Sequence, residues 1–134
     1  LGTVTASEGA PVLVSGTPSG ERHELGAILA AVSGAAEGWD SVYLGPDLPA
    51  EEIALAALRL EAEVVTLSCV EPNLAGTVPA EIQKVRQRLP ADVQLVVGGP
   101  QISGNEEALA MEGVQILKDF RDLRAKLRGL GSRG

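Results

Sequence analysis

The sequence predicts one α/β domain built on a parallel sheet of five strands, with helices covering both faces. Three observations predict it. Apolar residues make up 45% of the 134 residues but aromatic residues only 2%, so Val, Leu, Ile and Ala must fill the core. That diet suits strands buried on both faces, which read as nearly continuous apolar runs. Short apolar runs also alternate along the chain with stretches of helical periodicity, the pattern of repeated β–α units. The connections between them are too short for further elements, and crossovers of one hand then leave the strands parallel.

Each element has its own signal. Residues 11–16, "PVLVSG", form a short apolar run closed by turn residues and read as the first strand. Leu25, Ile28, Leu29, Val32 and Ala36 recur at 3- and 4-residue spacing, predicting a helix whose buried stripe they form. Gly38 ends it, as glycine does where the chain turns left-handed. Residues 41–45, "SVYLG", are the second strand. Pro49 then opens a helix, with Glu51 and Glu52 at the positive end of its dipole. Residues 63–68, "EVVTLS", are the third strand. Val78, Ile82, Val85 and Leu89 mark a third helix, stopped by Pro90. Residues 93–99, "VQLVVGG", are the fourth strand, "NEEALAMEG" a short helix, and residues 114–117, "VQIL", the fifth strand. "FRDLRAKLRGL" closes the chain as an amphipathic helix whose Arg and Lys form a solvated face.

Composition excludes several function classes. A formal net charge of −7 repels phosphate backbones, so this segment by itself is a poor nucleic-acid binder. The single cysteine, Cys69, rules out an internal disulfide and fits a reducing cytoplasm. No apolar run approaches the ~20 residues of a membrane span, and "LGTVTASEGAP" has neither the basic flank nor the apolar stretch of a signal peptide. The chain opens on Leu rather than Met, which points to a segment of a longer protein. There is no G-x-x-x-x-G-K-[ST], no G-x-G-x-x-G after the first strand and no G-x-S-x-G. A phosphoacceptor domain would match Lys118 but needs carboxylates where Ser15, Gly16 and Ser68 stand.

In parallel sheets of this kind ligands bind outside the carboxyl ends of the strands, where strand order reverses. The flavodoxin-like order 2-1-3-4-5 would bring the loops carrying "TPSGERHELG", "SCVEPN" and "GGPQISG" to one rim. His23 is the only histidine. Such a residue can be inert on a surface, but Glu21 lies close enough to accept a hydrogen bond from one ring nitrogen. That bond fixes the tautomer and leaves the other nitrogen free as a ligand or base. One histidine cannot build a zinc site, whereas a macrocycle that fills four metal positions needs only one more ligand. Ser68 could satisfy local backbone, and Gly98-Gly99 could be a simple turn; together they leave small, open loops beside His23. Cys69 reads as a buried small hydrophobe and Trp39 as packing at a helix–strand corner.

These residues resemble the cobalamin-binding domains of the flavodoxin-like type, which carry D-x-H-x-x-G after strand one, S-x-L or S-x-T/V after strand three, and G-G after strand four. The corresponding segments are "ERHELG" (21–26), "SCV" (68–70) and "GG" (98–99). The resemblance spans residues 10–127 and implies that His23 replaces the dimethylbenzimidazole base as lower axial ligand of cobalt. It implies that the freed nucleotide tail passes Ser68 towards Gly98 and Gly99. The implied cofactor-binding set is Glu21, Arg22, His23, Gly26, Ser68, Val70, Pro72, Gly98 and Gly99. Glu21 departs from the family's Asp by one methylene.

Within the family, "AAEGWDSVYLGPDLPAEEI" is most similar to the sensor domains of MerR-type, light-responsive transcriptional regulators that use cobalamin, often adenosylcobalamin. The resemblance implies a non-enzymatic cytoplasmic sensor. Its DNA contacts would come only through an N-terminal domain, with a helical bundle over the upper corrin face and homo-oligomers possible in the full-length protein. With one histidine, an upper His ligand must come from another segment or chain. A corrinoid carrier of a methyltransferase or mutase, and a degenerate domain without cofactor, are the competing readings. The expected organisation is a linker (1–9), the domain (10–128) and a tail (129–134).

Overall fold

A computed structural model describes residues 9–74, 76–102, 105–111 and 113–131. The elements run β1 (Val12–Pro18), α1 (Leu25–Ala36), β2 (Asp40–Leu48), α2 (Ala50–Arg59), β3 (Val64–Ser68), α3 (Val78–Arg88), β4 (Gln94–Gly98), α4 (Glu106–Met111), β5 (Val114–Ile116) and α5 (Phe120–Gly131). Short 3₁₀ turns at Pro72–Leu74 and Pro100–Ile102 follow β3 and β4. All five strands are parallel, in the order β2-β1-β3-β4-β5. The predicted flavodoxin-like architecture is the observed one.

The central strands show why the aliphatic composition matters. Along β1 and β3, alternate residues face opposite layers, and both layers are dry. Val14, Val65 and Leu67 join Ile53, Ile82, Val85, Leu95 and Leu109 beneath α2, α3 and α4. Leu13, Val64 and Val96 join Ala30, Trp39, Leu123 and Leu127 beneath α1 and α5. Trp39 is buried as expected, and its Nε1–H donates to the Leu127 carbonyl at 3.1 Å. Glu37 reinforces that joint, accepting from Arg124 at 2.7 Å and from Arg128 at 3.0 and 3.1 Å. Two cations of the expected solvated face of α5 therefore brace it against α1.

Helix α1 overturns one expectation. Its buried face is Ala27, Ala30, Ala31, Ser33 and Gly34. Leu25 is 69% exposed and Val32 53%, with Leu29 also exposed; the apolar stripe points away from the sheet. The reason is distance. A Cβ on residue 34 would stand 2.5 Å from Ser41 Oγ and 3.3 Å from Leu13 Cδ1, so only small residues let this helix approach the sheet so closely. Gly38 ends the helix with φ +85°, as expected.

Two boundaries also move. β1 and β2 run beyond their predicted ends, across register shifts at Gly16, because Thr17 and Asp47 lock the extension. The Asp47 N–H is shared by Thr17 Oγ1 at 2.8 Å and the Glu21 carbonyl at 2.9 Å. At the other end, residues 129–131 belong to α5 rather than to a tail, because Leu130 packs against the core layer around Trp39. Residues 1–8 of the expected linker (1–9) and residues 132–134 of the expected tail lie outside the described residues. Among the described residues no helix is long and apolar enough to cross a membrane.

The closed face of α1 predicts opposite outcomes for two substitutions. Gly34→Leu overfills the contact with Leu13 and Ser41 and is expected to cost about 1–3 kcal/mol. Val32→Ser, on the exposed stripe, is expected to stay within about 0.5 kcal/mol of the parent. Urea unfolding midpoints of the two variants measure both.

Candidate functional site

The carboxyl ends of β1, β3 and β4 form one rim, and a buried carboxylate organises it. The β1 extension turns back through the Glu21 N–H, which bonds the Pro18 carbonyl at 3.0 Å. Thr17 Oγ1 donates to the Glu21 carbonyl at 2.6 Å, and the Gly20 N–H reaches Asp47 Oδ1 at 2.7 Å. Held this way, Glu21 is completely buried. Its Oε1 accepts the N–H groups of Val70 at 2.5 Å and Glu71 at 2.8 Å, both from the loop after β3. Its Oε2 accepts the His23 N–H at 3.1 Å and meets His23 Nδ1 at 2.8 Å.

Burial acts to raise the Glu21 pKa. The hydrogen bonds from the Glu71 and Val70 amides and from the His23 ring and amide outweigh it, so the carboxyl lies below its ordinary value of 4.5. An ionised Glu21 only accepts hydrogen bonds, so Nδ1 carries a proton towards it, and in the neutral ring Nε2 is the nitrogen that keeps the lone pair. The ring is 54% exposed. The extra methylene of Glu relative to Asp therefore still delivers the bond that orients the histidine.

Beside the rim a cavity of about 250 Å³ opens between α1, β3, β4 and the β5–α5 loop. Ser68, Val70, Gly98 and Gly99 line it, as does Gly26 from α1. Two of these glycines sit in close contacts, and Gly99 is sterically required. A Cβ on residue 26 would lie 2.4 Å from Ser68 Oγ. Gly99 adopts φ +109°, and a Cβ there would fall 2.3 Å from the Cys69 carbonyl oxygen. Val70 joins the two halves of the site, since it lines the cavity and its N–H is held by Glu21. Cys69 is buried as expected, and burial, aided by the Glu21 charge, pushes its thiol up to about 12; it is a packing residue.

Seven of the nine predicted residues thus converge. Glu21 and His23 meet on the rim, and Gly26, Ser68, Val70, Gly98 and Gly99 at the cavity. Arg22 is exposed and Pro72 opens the exposed 3₁₀ turn; neither lines the cavity. The sequence reading missed its far side. Thr66 and Val96 form part of the floor, Ala27 and Ala30 a wall, and Leu117, Lys118, Asp119 and Phe120 the opposite wall. The tight turn after β5 and the sole Phe, at the start of α5, were the available signals. A wider depression, about 830 Å³, lies at the opposite ends of the strands and includes Glu61, Glu63 and Asp92; it contains no motif residue. Among the described residues no three His, Cys, Asp or Glu side chains cluster as a bare-ion site.

The B12 binding domain family matches residues 11–124. The chain belongs to that family. Cobalamin is the cofactor assigned by this membership, and the rim and cavity fit it: an imidazole nitrogen stands on the rim, and side chains at residues 26 or 98 would press on Ser68 and Leu117 of the cavity lining. Among curated proteins, this B12-binding domain is 30% identical over 111 residues to the HTH-type transcriptional repressor CarA of Myxococcus xanthus. That alignment covers 81% of the domain but 37% of CarA, so the chain spans little more than a third of that relative. Among solved structures, a cobalamin-binding protein from Desulfitobacterium hafniense superposes with TM-score 0.75 at 20% identity, over 90% of this chain and 59% of that one. The monomethylamine corrinoid protein of Methanosarcina barkeri gives TM-score 0.70 at 17% identity, over 90% and 57%. At such identities the likeness is one of fold.

Glu21→Gln keeps the shape but gives one amide group where four donors converge. It is expected to lose about 2 kcal/mol at pH 7. Because the folded pKa of Glu21 is depressed, its stabilisation is complete above 4.5 and fades as pH falls through the lower folded value. The gap between parent and variant should therefore be widest near neutrality and close in acid. Denaturant titrations at a series of pH values read it directly.

Proposed function

We propose that this domain binds cobalamin with His23 as the lower ligand of cobalt and serves as the cobalamin-sensing module of a transcriptional regulator. One observation carries the first part: Glu21 fixes His23 Nδ1 at 2.8 Å and leaves Nε2 free, while holding Val70 at the mouth of the adjoining cavity. A nitrogen whose tautomer is fixed by a buried carboxylate is a prepared metal ligand. Bound cobalamin would supply a cobalt centre whose upper ligand can be exchanged or lost; the chain's own residues do the rest. Glu21 sets the direction and basicity of His23, and Leu25 and Pro72 give the exposed rim apolar contacts for a broad macrocycle. Ser68, Gly26 and Gly98 keep the cavity open for the nucleotide tail, and Gly99 lets the chain after β4 pass close to the Cys69 backbone.

The sensor role is supported by the similarity to the repressor CarA. DNA binding would then belong to a different segment of the longer protein, in keeping with the net charge of −7. A corrinoid carrier in an enzyme is the competing reading, supported by a likeness of fold at 17% identity. The two separate on the full-length protein: a regulator shifts operator DNA in a corrinoid-dependent way, whereas a carrier does not.

Ligation has its own test. The purified domain, incubated in the dark with hydroxocobalamin or adenosylcobalamin and gel-filtered, should co-elute with corrin and show the spectrum of a His-ligated, base-displaced form. His23→Ala should lose that spectrum while still folding cooperatively, its melting point lowered only by the loss of one of the four donors to Glu21. Retention of the same spectrum in the variant would sink the assignment.

A further inference from the structure

The loop that carries His23 is held from the edge of the sheet through one buried hydroxyl. Thr17 lies near the end of β1 and is fully buried. Its Oγ1 donates to the Glu21 carbonyl at 2.6 Å and accepts the Asp47 N–H at 2.8 Å. The same N–H reaches the Glu21 carbonyl at 2.9 Å, so the three groups close a small ring of hydrogen bonds. A valine has nearly the same shape but offers neither of the hydroxyl's bonds. Asp47 adds its carboxylate, whose Oδ1 accepts the Gly20 N–H at 2.7 Å. The main chain at Gly20 and Glu21 is thus fixed from β2, the edge strand.

The edge strand is distorted to make these contacts. Between the pairs Gly16–Gly45 and Pro18–Leu48, β2 runs one residue longer than β1. Such a bulge re-aims a strand's groups and recurs beside functional sites. Asp47 sits in it at φ +55°, a left-handed conformation that costs free energy in any residue but glycine, though Asp tolerates it better than most. In that conformation its N–H and its carboxylate both meet the same loop. The strain is local, and its beneficiary is whatever the loop holds.

What the loop holds is His23. The Glu21 carboxylate orients the ring and is itself anchored to the amides of Val70 and Glu71 after β3. A glutamate has several rotatable bonds between carboxylate and main chain, so fixing the carboxylate leaves the main chain room to move. An imidazole two residues further on would drift with it. The ring of bonds at Thr17 supplies the constraint at that other end. We propose that Thr17 is a positioning residue for the bond between His23 and cobalt, setting its strength by holding the Glu21 main chain against β2. This rests on the reading that His23 is the lower ligand. Thr17 is not part of the cavity lining, and its hydroxyl is engaged by Glu21 and Asp47, so its effect passes through Glu21. A metal–nitrogen bond responds to such support because the residues behind a ligand fix the direction of its lone pair.

The test compares the parent with Thr17→Val, which removes the hydroxyl, and Thr17→Ser, which keeps it. Each is titrated in the dark with hydroxocobalamin and with hydrogenobalamin, the metal-free corrinoid that has the same tail. Thr17→Val should bind hydroxocobalamin about fivefold more weakly and hydrogenobalamin like the parent. Thr17→Ser should match the parent for both. The second readout is electron paramagnetic resonance of cob(II)alamin bound to protein labelled with the heavy nitrogen isotope. There a His23 ligand splits the cobalt lines into doublets, whereas the cofactor's own unlabelled base gives triplets. Thr17→Val should keep a smaller share of the doublet than the parent, and this share decides the matter where hydrogenobalamin binds neither protein. If both corrinoids weaken equally, or neither weakens, while the doublet stays whole, Thr17 is a purely structural residue and the proposal is overturned. If Thr17→Val fails to fold, Asp47→Gly, which accommodates the positive φ and drops only the carboxylate, makes the same comparison. A parent that binds cobalamin without the doublet overturns the ligand assignment, and this proposal with it.

Discussion

A single buried carboxylate holds the functional end of this domain together. Glu21 joins the loop after β1 to the loop after β3 through the amides of Val70 and Glu71, and both join to His23. A charge fully out of water is tolerated only when hydrogen bonds replace its hydration, and here four donors do so. The imidazole is thus not a free surface group that happens to lie near a cleft. Its orientation belongs to the same network that closes the sheet's switch point between β1 and β3. Whatever perturbs that carboxylate perturbs fold and ligand site together.

The scaffold behind this network serves it by closeness. α1 presses its Ala, Ser and Gly face on the sheet, and the approach continues to its first turn, where Gly26 meets Ser68. That contact fixes the wall of the cavity relative to the rim carrying His23. β2 contributes from the edge, since Asp47 supports Gly20 and Thr17 beneath Glu21. Tyr43 adds a hydrogen bond to Glu24 at 2.6 Å, tying the start of α1 to the same edge strand. The site is therefore held by elements that are far apart in sequence, while the largely apolar cavity opens between α1, β3, β4 and the β5–α5 loop.

Strand and helix order was legible in the sequence because apolar runs and glycine or proline punctuation report local geometry. The D-x-H-x-x-G-like, S-x-V and G-G segments were legible because spacing along one strand–loop–helix unit is fixed by the chain itself. The face of α1 was not. Leu25, Leu29 and Val32 form a stripe as regular as any buried one, but Ala27, Ala30, Ala31 and Gly34 oppose it. With both faces apolar, periodicity cannot choose between them; the decision belongs to the distance at which the helix meets Leu13 and Ser41. Thr17 escaped for a related reason. Inside "TPSGERHE" it reads as a loop residue, and nothing in that run says that its hydroxyl is shared with Asp47.

The sequence by itself determined the fold class, the parallel order of elements and the residue types available to a cofactor, because these follow from composition, period and punctuation along the chain. The tertiary structure alone decided which of those residues act together. It brought Glu21 within 2.8 Å of His23 Nδ1 and bound it to amides 49 and 50 residues away. It also turned the large side chains of α1 outward and joined Thr17 to Asp47 beneath the histidine loop. Those outcomes depend on how closely separate elements can pack, which is a property of shapes meeting in space and has no period in the sequence.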